Sequence, residues 1–154
     1  SASRTDPRID FSANKDRRQT GRVQSMKRLV LDLETTVQKL GGKTDNSPFN
    51  PNNKCVSAHF GWLGGDTVDE VTSLVFHHNE QMKSDDPAPL REALSEADLL
   101  IAHNAKFDAL WLLEIGMPIP PQVYCTMIGE YLLSKGQRRL ISLKATAERR
   151  SMAA

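Results

Sequence analysis

The chain has 154 residues, 39% of them hydrophobic and 25% charged, with a formal net charge of +1 at neutral pH. That length holds one domain with a sizeable core, and the near-zero balance excludes a strong global field as the means of attracting a nucleic acid or a membrane. Cys55 and Cys125 lie far apart without C-x-x-C spacing, which argues against a disulfide framework or a zinc site and fits a reducing compartment. No apolar run approaches the ~20 residues of a membrane span, and the polar N-terminus is not a signal peptide.

Residues 1–25 are polar and mildly basic, with Ile9, Phe11 and Val23 as their only large apolar side chains. Such a segment buries too little surface to offset its ordering entropy and reads as a disordered leader. The domain opens near Met26 and runs to residue 154. "RLVLDLETT" (28–36) is a first strand. Residues 37–54 carry turn formers and read as a long loop. "CVSAHFGWLG" (55–64) and "TSLVFHHN" (72–79) are strands joined through a turn at 64–66, so the first three strands suggest an antiparallel meander.

"PLREALSEA" (89–97) reads as a short helix with Leu90, Ala93 and Leu94 on one face. "DLLIAH" (98–103) lacks polar alternation and reads as a strand buried on both sides. "AKFDALWLLEIG" (105–116) is a helix that is apolar nearly all round, with Gly116 as its stop. A short strand at 123–125 leads into a helix over 126–133, with Met127, Ile128, Tyr131 and Leu132 on one stripe. A last helix covers 142–150. The order β-β-β-α-β-α-β-α-α implies an α/β fold: a mixed sheet, antiparallel meander first and parallel strands after, with helices on its faces.

The first strand carries an anomaly. Side chains alternate between faces, so Leu29, Leu31 and Leu33 point one way while Val30, Asp32 and Glu34 point the other. The two carboxylates are neighbours, ~7 Å apart along the backbone, with no Lys or Arg at the matching positions beside them to compensate them. A divalent cation such as Mg²⁺ is the natural counter-charge, since hard cations take carboxylate oxygens. A second acidic position follows the buried strand that ends at His103. Asn104 is placed as a helix N-cap, and Asp108 falls in the first helical turn, where the helix dipole favours an acid. Singly, each has a plainer reading: Asp32 as a strand-end residue, Asp108 as a first-turn charge, His103 as a hydrogen-bonded structural histidine. Together they are far more specific. His77 and His78 face opposite ways on a strand and make a poor joint metal site.

"LDLETT" and "IAHNAKFDALWL" resemble the first two motifs of the DnaQ-like DEDD 3′–5′ exonuclease superfamily. "VYCTMIGEYLLS" and "ISLKATAERR" are similar to the helical stretch that follows in the proofreading domains of phage and bacterial family A DNA polymerases. The resemblance covers about Arg28 to Arg150 and implies an RNase H-like fold. It also implies hydrolysis of phosphodiester bonds at DNA 3′ ends through two divalent ions, Mg²⁺ or Mn²⁺. Asp32 would bridge both ions, Glu34 would hold the one that activates water, and Asp108 would serve the other. Thr35 and Asn104 would help position the substrate, and Phe107 is a substrate contact or, as favoured here, a core residue. The expected partners are a single-stranded DNA 3′ end, with RNA as the other option, and a polymerase module in the full-length protein. The implied setting is DNA replication in the cytoplasm of a bacterial or phage-infected cell.

One departure bears on activity. The family's third motif, Y-x-x-x-D or H-x-x-x-x-D, supplies a fourth carboxylate, and no aspartate follows Asp108. Cys125 stands where family members often carry an aspartate before the Thr-Met pair. Glu114, Glu130 and Glu148 read as exposed helix charges rather than substitutes. The domain is therefore expected to be C-terminally truncated and impaired. Two alternatives stand beside the nuclease: a non-catalytic nucleic-acid-binding remnant of such a domain, and a haloacid-dehalogenase-type phosphatase, whose D-x-D-x-T motif "DLETT" approaches.

Overall fold

The alternating stretch forms the strand around which the sheet is built: β1 (Arg28–Thr35), with its three leucines buried on one face and Asp32 and Glu34 exposed on the other. The computed structural model describes residues 25–76, 84–135, 137 and 139–150, so nearly all of the expected leader, and the pair His77–His78, lie outside the described residues. After β1, the stretch read as a long loop contains a hairpin, β2 (Gln38–Leu40) and β3 (Lys43–Asp45). Gly41 and Gly42 both hold positive φ at its tip, 57° and 80°, which a two-residue hairpin turn of the mirror-image type requires.

The long strand β4 (Cys55–Gly64) runs antiparallel to β1. Two short pieces, β5 (Thr67–Val68) and β6 (Thr72–Val75), pair in succession with β4's other edge. The expected third strand is seen as β6, with residues 77–79 of that stretch outside the described residues, and β5 is a short pairing ahead of it. Helix α1 (Ala88–Glu96) leads to β7 (Leu99–Ala102), which lies parallel to β1, and α2 (Ala105–Glu114) leads to β8 (Gln122–Cys125), parallel to β7. Helices α3 (Thr126–Leu133) and α4 (Leu143–Arg149) follow. The sheet order is β5/β6, β4, β1, β7, β8: the mixed sheet the sequence implies, antiparallel on one side of β1 and parallel on the other.

The core lies on the leucine face of β1. Leu29, Leu31 and Leu33 pack with Ala58 and Phe60 of β4, Leu90 and Leu94 of α1, Leu100 of β7, and Trp111 and Leu112 of α2. Each large apolar side chain buried there contributes roughly 1.5–3 kcal/mol. Gly116 adopts φ 72° just past α2, the left-handed stop expected of it. No helix among the described residues is long and apolar enough to cross a membrane.

Two expectations for the helices fail. Leu113 is exposed, so α2 is buried along one side rather than all round. On α3, the stripe of Ile128, Tyr131 and Leu132 faces outward, and the buried residues are Gly129 and Glu130. Glu130 is therefore not an exposed charge. It is bracketed by the guanidinium groups of Arg149 and Arg150 at the end of α4, the latter at 2.9 Å, and Arg150 and then Arg149 hold its carboxyl below the usual range. This pairing turns the polar side of α3 towards α4 and leaves the apolar stripe in the open.

Where β5 gives way to β6, the chain passes over Gly61, which lies opposite Val30 and so on the carboxylate face. A methyl group at position 61 would collide with the Glu70 carbonyl oxygen and the Val68 side chain. Gly61→Ala is expected to lower stability by about 1–3 kcal/mol, read as a lower urea midpoint with an unchanged slope; an unchanged midpoint would show that the 68–70 segment does not rest on β4.

Candidate active site

Asp32 and Glu34 reach solvent because β1 alternates, and β4 determines what stands beside them. The register places His59 opposite Asp32 and Ser57 opposite Glu34, and opposed residues share a face. A register shift falls between Glu34 and Thr35, so the strand pair is bulged at the second carboxylate; bulges of this kind re-aim side chains. No lysine or arginine forms an ion pair with either acid among the described residues.

Ser57, His59 and Ser73 form a polar file that the sequence reading passed over. The imidazole Nε2 of His59 is 3.1 Å from the Ser57 hydroxyl, and its Nδ1 is 2.9 Å from the Ser73 hydroxyl on β6. A neutral imidazole donates once and accepts once, so the ring is held at both nitrogens. The signal was present in "SAH", two polar residues two apart on one strand face, but its relevance rests on register against β1.

Asp108 arrives from α2. Pairing between β1 and β7 ends at Val30↔Ile101, so the far half of β1 has no strand on that side. There the Leu33 N–H donates to Oδ1 of Asp108 at 3.2 Å. Asp108 is only 2% exposed. Burial raises its pKa, the Leu33 N–H opposes this, and the Asp32 charge raises it further, to about 7. The same neighbourhood includes Cys55, whose thiol is pushed up to about 11 by burial and then by Asp108.

Asp32 and Asp108 thus feel each other's charge, but the three acids do not form a closed cage. Among the described residues no three His, Cys, Asp or Glu side chains gather closely enough to hold a metal ion. The reason is orientation: Asp32 and Glu34 project from the sheet face, whereas Asp108 bonds a backbone N–H at the edge of β1. The donor chemistry of the exposed pair fits a hard divalent cation, with Asp108 set behind it.

The remaining expected residues divide. Asn104 stands at the head of α2 in the left-handed conformation, φ 61°, and its side chain makes no capping bond, so it is exposed rather than tied into the helix. Thr35 is half-buried at the bulge. Phe107 is half-buried and packs against the core, as favoured from the sequence. His103 is structural: its Nδ1 is 2.9 Å from the Thr126 hydroxyl and its Nε2 is 3.0 Å from the carbonyl oxygen of Ile141. Glu114 and Glu148 are exposed helix charges. Cys125 sits where α2 and α3 both begin, with the Ala105 N–H donating to its sulfur at 3.4 Å. Backbone N–H groups of Ile128, Ala105, Met127 and Asn104 together outweigh its burial and lower its pKa. A cavity of about 510 Å³ opens elsewhere, among Asn53, Cys55, Phe76, Arg91, Trp111 and Met117, and none of the three carboxylates lines it.

No protein-family model matches the chain, and no curated protein matches it by sequence. Solved structures do share its fold. NrnC of Brucella melitensis with bound Mg²⁺ superposes with a TM-score of 0.57 at 16% identity over 84% of this chain, and a second NrnC structure gives the same score and identity. A nuclease in its apo form gives 0.53 at 20% identity over 79% of this chain. The chain spans 56% of that first NrnC chain and 50% of the apo nuclease. The fold is therefore the RNase H-like arrangement expected from the sequence, shared with solved nucleases.

The Asp108 environment carries a pH signature in metal-free protein. Its folded pKa lies above the ordinary value of 3.8, so its contribution to stability is fully present below about pH 4 and is lost as pH rises through about 7. Asp108→Asn keeps an oxygen for the Leu33 N–H and removes the buried charge. In EDTA this variant is expected to be more stable than the parent at pH 8 by on the order of 2–4 kcal/mol and to match it near pH 4. Chemical denaturation at the two pH values checks this, and equal differences at both would contradict it.

Proposed function

We propose that the chain is a metal-dependent nuclease domain that hydrolyses phosphodiester bonds at single-stranded 3′ ends, with DNA as substrate and a polymerase module in the full-length protein. The observation that carries this reading is the pair of exposed carboxylates on one strand face, with no ion pair to a basic side chain among the described residues and with Asp32 close enough to the buried Asp108 to raise its pKa. Proteins sharing the fold support it, one of them solved with Mg²⁺ and another named as a nuclease. They lend no comparable support to the haloacid-dehalogenase alternative.

On this reading Asp32 and Glu34 hold divalent metal, which when bound supplies a Lewis acid at the phosphate and lowers the pKa of water. The register shifts between Glu34 and Thr35, where Val56 of β4 is left without a partner, so the pairing is irregular beside that carboxylate. Ser57 stands across from Glu34, and its hydroxyl lies 3.1 Å from Nε2 of His59, which sets a polar group of the neighbouring strand beside that carboxylate. Asp108 fixes α2 to β1 through Leu33 and, when ionised, adds negative charge near Asp32, which strengthens the site's demand for a cation. Asn104, exposed at the head of α2, contacts the terminal nucleotide or its phosphate.

The test is release of nucleotides from a labelled single-stranded oligonucleotide in Mn²⁺, alongside Mn²⁺ calorimetry. Slow cleavage is expected from these 154 residues, because no aspartate follows Asp108 among them to add a further ligand. Asp32→Ala should reduce that rate to background and weaken metal binding at least tenfold. A parent chain that cleaves nothing, and binds the oligonucleotide as well with Asp32→Ala as without, would overturn the enzyme reading in favour of the non-catalytic remnant.

A further inference from the structure

We infer that the excursion between β1 and β4, residues 37–54, is the surface that receives single-stranded nucleic acid, with Phe49 as the aromatic platform on which a base stacks. This deepens the nuclease reading and rests on it, since it says where the substrate strand of that site lies.

Phe49 is 77% exposed, yet the segment that carries it is pinned. Both oxygens of Asp45 are engaged, by the Ser47 N–H at 3.0 Å and by the Asn50 amide at 2.7 Å. The Phe49 N–H donates to the Ser47 hydroxyl, and the Asn53 amide donates to the carbonyls of Asp45 and Ser47. Pro48 and Asn53 are buried on either side of the outward-facing ring. The Trp111 indole N–H holds the Asn46 carbonyl at 3.1 Å, which ties the segment to α2 three residues beyond Asp108. A chain so constrained has little freedom left to lose when a ligand arrives. A large apolar ring held in water by that many polar contacts is placed there, not stranded.

Its surroundings indicate the occupant. Lys39, Lys43 and Lys54 are exposed along the same excursion and have no ion pair among the described residues, while its single acid, Asp45, is consumed internally. Val37 and Leu40 are also exposed. A basic surface with a standing aromatic suits a polyanion whose units carry π-faces: lysines meet phosphates and the ring meets a base. An apolar protein anchor would meet uncompensated lysines instead. Both ends of the excursion are rooted at the carboxylates. Thr36 and Lys54 clasp each other through the Thr36 N–H to the Lys54 carbonyl at 2.9 Å and the Lys54 N–H to the Thr36 hydroxyl at 2.7 Å, and Cys55 pairs with Thr35. A strand crossing Glu34 therefore meets this segment next.

The experiment uses the whole chain and a labelled ten-nucleotide single-stranded DNA, followed by fluorescence anisotropy in EDTA so that neither metal nor cleavage contributes. Phe49→Ala is expected to weaken binding about 5–50-fold with no change in thermal midpoint, because the ring is not part of the core. Phe49→Trp is expected to retain the parent's affinity, since an indole offers the same stacking face. Lys39→Ala with Lys43→Ala should flatten the salt dependence of binding. If the parent binds and cleaves while Phe49→Ala binds equally well, this inference is wrong and the nuclease reading stands. If the parent neither binds nor cleaves, the nuclease reading fails and takes this one with it.

Discussion

One hydrogen bond organises the candidate site: the Leu33 N–H to the Asp108 carboxyl. It exists because β1 continues past the point where β7 stops pairing. A buried backbone N–H needs a partner, and α2 supplies one from its first turn. The bond fixes the helix against the strand at the level of the exposed carboxylates, while Trp111 and Leu112 anchor the next turn in the core. It also has an electrostatic cost. A carboxyl held in a dry place beside another negative charge resists ionisation, which is why Asp108 sits near pKa 7 while it stays bonded to a backbone donor.

The outer end of β1 concentrates the remaining features. Its leucine face is sealed by α1 and α2, which leaves the opposite face to carry polar chemistry without weakening the core. There β4 sets His59 and Ser57 against the two acids, and β6 adds Ser73 behind the imidazole. The register shift and the Thr36–Lys54 clasp lie within two residues of Glu34, and the excursion bearing Phe49 leaves the strand directly after them. Acids and hydroxyls therefore share the outer end of β1, and the excursion that carries the lysines and the ring is rooted there, although the net charge is close to neutral. The solved nucleases that share the fold do so at 16–20% identity and over about half of their own length. What is common to them and this chain is the scaffold, and the chemistry has to be argued from this chain's own side chains.

Much of this was legible in the sequence. The alternation of Leu29, Leu31 and Leu33 with Asp32 and Glu34 determined both faces of β1, because a strand's side-chain period is local and invariant. The apolar run after Asn104 and the glycine at 116 determined α2 and its end. The order of elements determined a mixed sheet, and Asp32, Glu34 and Asp108 stood out because charge is costly in apolar segments. Tertiary structure alone decided how those residues meet. The gathering expected of the three acids became an exposed pair with a buried third at the strand edge, since the orientation of Asp108 depends on where β7 ends. His59 gained its place through cross-strand register, which relates residues 27 positions apart in the chain. Glu130 and the apolar stripe of α3 exchanged their expected exposures because Arg149 and Arg150 return from α4. Periodicity is fixed by backbone geometry within a few residues, whereas pairing partners, ion pairs and burial are settled by segments distant in the chain, and a single sequence does not reveal which of those segments will meet.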